Sequence, residues 1–125
     1  MKLIFLIERQ TAFQFFSSLI NYGLRLGHQI DLWYDFGQTY KVPLIENCPF
    51  SKSKHKNLNF DKYDGLDGLR TKLKEKHLAF DYIVDLHPLR IDGDNELLAK
   101  ISGKWCFIQH GHDSFSTIWN SNKCR

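Results

Sequence analysis

The chain has 125 residues, 42% hydrophobic and 25% charged, a balance expected of one globular domain and foreign to disordered or fibrous sequences. A net charge of +3 is too small to argue for nucleic acid, and the basic stretches lack the interleaved aromatics of a base-stacking platform. Cys48, Cys106 and Cys124 are odd in number and widely separated, which disfavours a disulfide framework or a zinc knuckle.

The chain opens on Leu3–Ile7, a continuous apolar run suited to a strand buried on both faces. The run is too short for a signal peptide or a membrane span, so a cytoplasmic protein is expected, with contact at the inner membrane face left open. Thr11 and Gln14 form a capping-box pattern, and Ala12, Phe13, Phe16, Leu19, Ile20, Gly23 and Leu24 make an apolar stripe at helical spacing. Gly27 suits the left-handed position past the helix end. QIDLWYDF, from Gln29, reads as a second strand, completing a strand–helix–strand unit.

Residues 37–65 read as an irregular excursion, with a short strand near Val42–Ile45 and a basic SKSKHK tract at 51–56. Leu66, Leu69 and Leu73 predict a helix over 66–77. Tyr82–Leu86 predicts a strand stopped by Pro88, followed by a helix at 95–101 ended by Gly103 and a last strand over Trp105–Gln109. Nearly unbroken apolar strands alternating with helices imply an α/β domain. They form an open, Rossmann-like parallel sheet with helices on both faces, over residues 1–125.

In such a sheet, ligands bind beyond the carboxyl ends of the strands. The residues there are Glu8, Arg9 and Gln10; Asp35; His87, which reads more readily as a satisfied loop histidine than as a ligand contact; and His110, Gly111, His112 and Asp113. The first loop, ERQT, has no glycine, whereas a dinucleotide site needs backbone close to a pyrophosphate. NAD and ATP are therefore not expected, no cofactor is assigned, and Asp35 reads as a solvated strand end rather than a ribose ligand. His110-Gly-His-Asp departs from binuclear metallohydrolase spacing, because Ser114 and Phe115 stand where an aspartate and a histidine are needed, so no metal is assigned. An imidazole at His110 suits a general base or substrate-positioning group, and a polar turn without catalytic work fits the spacing equally well.

Three stretches, taken in order, resemble the N-terminal half of a GT-B-type glycosyltransferase. They are LRLGHQIDLW (24–33), FDYIVDLH (80–87) and LLAKISGKWCFIQHG (97–111). Cell-wall and capsule transferases, including glycerophosphate-polymer enzymes, share a similar His-Gly pair. The resemblance implies an acceptor-side domain transferring a sugar from a nucleotide-sugar donor to a hydroxyl acceptor in polysaccharide or glycolipid synthesis. His110 matches the residue at the reaction centre, and Glu8, Arg9, His87, Gly111, His112 and Asp113 become the expected substrate-binding set. It also implies a donor-binding domain with no room before Arg125, so the chain is expected to be incomplete alone and to need a complementary C-terminal domain or subunit. Lysines and arginines in SKSKHK and RTKLKEK would allow peripheral docking on an anionic membrane. The alternative reading is a non-catalytic, flavodoxin-like binding or regulatory module.

Overall fold

A computed structural model describes residues 1–8, 12–36, 56–75, 79–89 and 93–108. Five strands form one wholly parallel sheet: β1 (Lys2–Ile7), β2 (Gln29–Asp35), β3 (Leu58–Tyr63), β4 (Tyr82–Asp85) and β5 (Trp105–Phe107). Their spatial order, β3-β2-β1-β4-β5, is that of a Rossmann sheet and not the flavodoxin order. The helices are α1 (Ala12–Arg25), α2 (Gly65–Glu75) and α3 (Asn95–Ile101), the last running into a 3₁₀ turn at Ser102–Lys104.

Strand periodicity sorts the apolar runs into two cores. Phe5 and Ile7 of β1, with Ile30, Leu32, Leu58 and Val84, pack against Phe13, Phe16 and Ile20 of α1. Ile4 and Leu6, with Trp33, Tyr63 and Ile83, pack against Leu69 and Leu73 of α2 and Leu97 and Ile101 of α3. The unbroken run in β1 is thus what a strand between two helical layers requires. Phe5 and Phe16 meet edge to face at 5.3 Å between ring centroids, tying α1 to the sheet centre.

Helix α1 ends as its glycine predicts. Gly27 has φ of 81°, and the amides of Gly27 and His28 donate to the carbonyls of Leu24 and Gly23. This is a Schellman closure, and the left-handed residue costs least when it has no Cβ. Gly23 itself lies so near β2 that a Cβ there would stand 3.0 Å from Ile30 Cδ1. Thr11, the expected cap, lies outside the described residues.

Four readings are corrected. Leu19 is exposed and is not part of the inner stripe, because it lies about a sixth of a turn from the line through Phe16, Ile20 and Gly23. Leu66 likewise points outward, leaving Leu69 and Leu73 as the buried stripe of α2. The supposedly irregular excursion contains β3, whose Asp61 and Lys62 hid the alternation; it is bonded to β2 alone among the described strands, a position that tolerates charge. Asp35 is not solvated. It is buried, and its carboxylate accepts the amide of Gly65, a residue at φ of 65° that turns the chain into α2. The expected strand near 42–45 lies outside the described residues.

The cations of α2 are engaged by carboxylates. Lys72 Nζ lies 2.6 Å from Asp61 and over the Trp33 ring, Arg70 pairs with Asp67, and Lys74 pairs with Asp94. Asp94 also caps α3 by accepting the Leu97 amide. The Lys74 ammonium, then the Leu97 amide, hold the Asp94 carboxyl below its ordinary value of 3.8. A carboxylate with a lowered folded-state pKa stabilises above its unfolded pKa, and the contribution disappears as pH falls through the folded value. Asp94→Asn should therefore lower urea stability at pH 7, and the gap from wild type should close on acidification below about pH 4. A gap of constant size from pH 7 to pH 2 would show that the charge is irrelevant.

Candidate functional site

Strand order reverses between β1 and β4. From β1 the chain goes outward to β2 and β3, then returns to β4 on the other side of β1. This is a topological switch point, and open α/β sheets take ligands beyond the carboxyl ends of the strands at such a point.

Two side chains meet there. Parallel pairing sets Leu3 level with Tyr82, Ile4 with Ile83 and Phe5 with Val84. Carried past the strand ends, this register brings Glu8 level with His87. Their side chains meet, with His87 Nε2 3.0 Å from Glu8 Oε2. Glu8 is only 12% exposed at its side chain and His87 is 41% exposed, so the carboxylate is the inner partner and the imidazole the outer one. An ionised carboxylate only accepts, so a neutral ring must carry its hydrogen on Nε2, leaving the lone pair on Nδ1. The pair is the orienter-and-imidazole arrangement used for proton transfer or for holding a hydroxyl.

The backbone around His87 is held from two sides. Trp105 Nε1 donates to the His87 carbonyl at 3.1 Å, and the Ile108 amide donates to the Asp85 carbonyl at 2.9 Å. Asp85, almost wholly buried, accepts the Leu86 amide at 2.7 Å and so shapes the turn that leads to His87. Neither Asp85 nor Trp105 stood out in the sequence as part of a site. The available signal for Asp85 was a carboxylate inside the apolar strand YIVDL, where an unsatisfied charge would be costly.

Of the sequence-derived site residues, Glu8 and His87 are brought together. Arg9, His110, Gly111, His112 and Asp113 lie outside the described residues. Among the described residues, no three His, Cys, Asp or Glu side chains gather as metal ligands, and no helix is long and apolar enough to cross a membrane. Cys106 lies on β5, and burial raises its thiol pKa, which keeps it protonated and poorly nucleophilic at neutral pH. Comparison with protein-family models, curated proteins and solved structures gave no match.

Proposed function

We propose that the chain is the acceptor-side domain of a GT-B-type, glycosyltransferase-like protein, in which the Glu8–His87 pair receives a hydroxylated acceptor. The observation that carries this reading is the contact between these two side chains at the sheet's switch point. An imidazole oriented by a carboxylate suits a hydroxyl, which donates one hydrogen bond and accepts another. This agrees with the absence of glycine from ERQT, which withholds the backbone approach that a pyrophosphate requires.

In the proposed reaction, His87 orients the acceptor and His110, the match to the His-Gly pair, removes the proton from the attacking hydroxyl. The oxygen forms its bond to the anomeric carbon as the bond from that carbon to the nucleotide diphosphate breaks. The nucleotide-sugar donor would be held mainly by a complementary domain or subunit, in a cytoplasmic protein working on polysaccharide or glycolipid precursors.

Nuclear magnetic resonance titration of the chain with neutral oligosaccharides and polyols tests the acceptor site. Shifts of the His87 ring and of the Glu8 and Leu86 amides are expected, and inorganic pyrophosphate should leave the same signals in place. Pyrophosphate binding at His87 without any response to the neutral compounds would overturn the reading.

A further inference from the structure

The peptide unit that follows His87 has a single hydrogen-bonding group. Its nitrogen belongs to Pro88, which has no N–H, so hydrogen bonding can fix that peptide plane only through the His87 carbonyl. Trp105 supplies such a bond, its indole Nε1 donating to the carbonyl oxygen at 3.1 Å. The peptide between Asp85 and Leu86 is pinned as well, because the Leu86 amide donates to the Asp85 carboxylate at 2.7 Å. The backbone through Leu86 and His87 is thus fixed at both ends, and with it the direction in which the imidazole leaves the chain.

Trp105 is itself a firm support. Its ring is half-buried and packs against the second core, as does Leu89, two residues beyond His87. Its backbone opens β5 and stands level with Ile83 of β4. The residue before it, Lys104, donates from Nζ to the Phe80 carbonyl at 3.0 Å and lies over the Phe80 ring. The start of β5 is therefore tied to the segment that enters β4, while the indole reaches the turn that leaves it. Packing against the core asks only for an apolar ring, and a phenyl group would serve. Donation to the His87 carbonyl asks for an N–H, which among the apolar aromatic rings only indole has.

We propose that Trp105 is a positioning residue, whose indole N–H holds the His87 carbonyl and so keeps the imidazole within hydrogen-bonding reach of Glu8. The contact it protects has little tolerance. His87 Nε2 lies 3.0 Å from Glu8 Oε2, and at about 3.6 Å no hydrogen bond is left, so a shift of roughly 0.6 Å breaks it. The consequence for acceptor binding rests on the function proposed above, whereas the consequence for the Glu8–His87 contact stands without it.

Nuclear Overhauser effects between the His87 ring hydrogens and the Glu8 side-chain methylenes test the proposal in the full chain. They should be strong in the native chain and weaken to less than about half in Trp105→Phe, which keeps a ring on the core but loses the donor. Leu98→Ala is the structural control, because Leu98 packs against the same core. It should lower urea stability while the His87–Glu8 effects stay native. A second measurement uses the native chain alone: the Trp105 indole hydrogen should exchange with solvent more slowly than that of free indole. Unchanged His87–Glu8 effects in a folded Trp105→Phe chain, equal losses in Leu98→Ala, or an indole hydrogen that exchanges freely would each overturn the proposal. Titration with neutral polyols then separates the two readings. Trp105→Phe should bind them about two- to tenfold more weakly than the native chain, the worth of one neutral hydrogen bond, and Leu98→Ala should bind them as the native chain does. A native chain that binds no polyol would sink the acceptor reading and leave the Overhauser comparison to decide the role of Trp105.

Discussion

Replacing His87 by alanine is expected to weaken acceptor binding by about ten- to a hundredfold, the loss of one hydrogen bond involving a charged partner. The substitution removes the more exposed member of the pair and leaves Glu8, mostly buried, without the imidazole 3.0 Å away. His87→Gln should recover part of the binding, because an amide N–H can donate to Glu8 while its oxygen accepts the acceptor hydroxyl. In a complete transferase, this positioning role should appear chiefly as a raised acceptor KM. His110→Ala should instead lower kcat by about 10²–10⁴, the contribution of a general base. Equal losses of kcat in both variants would reassign proton removal to His87. An unchanged KM and kcat in His87→Ala would remove the pair from function altogether.

The largest effect on stability is expected at Trp33. This side chain is fully buried in the second core between β2 and α2, with the Lys72 ammonium 5.1 Å from its ring centroid. Trp33→Ala should cost about 3–5 kcal/mol, from lost apolar transfer and the cavity left under α2. Trp33→Phe should cost far less than that, for a reason specific to this site. The indole N–H is buried and has no hydrogen-bond partner among the described residues. Removing it relieves a desolvation penalty of about 1–3 kcal/mol, which offsets much of the lost packing. Urea denaturation of the two variants measures the contrast. A phenylalanine variant as unstable as the alanine variant would mean that the indole nitrogen is satisfied in solution.

Much of the architecture is legible in local pattern. Leu3–Ile7 suits a strand covered on both faces, because five successive apolar residues alternate sides in an extended chain. Gly27 marked the end of α1 because a left-handed residue there is cheapest without a Cβ, and its φ of 81° bears this out. The absence of glycine in ERQT disfavours a dinucleotide loop. Reading failed where local pattern and tertiary position disagree. Strand β3 carries two adjacent charges, Asp61 and Lys62, and becomes a strand because β2 supplies a hydrogen-bonding edge. Leu19 and Leu66 matched helical periodicity loosely and proved to be exposed, since a helix rolls onto its most continuous stripe.

The candidate site divides in the same way. Glu8 and His87 were both identifiable as polar groups just beyond apolar strand cores, although His87 by itself read more readily as a satisfied loop histidine. Nothing in the sequence said that they touch. Their contact depends on β1 and β4 being neighbours and on a register that keeps Leu3 level with Tyr82. Asp35 shows the opposite outcome, a buried strand-end carboxylate that accepts the Gly65 amide. The sequence by itself determined the alternation of strands and helices, the double-sided burial of β1 and the polar residues at the strand ends, because these follow from side-chain periodicity within a few residues. Strand order, register, and the choice between Glu8–His87 and Asp35 as site or support were decided only by tertiary structure, because they depend on contacts between segments up to 79 residues apart.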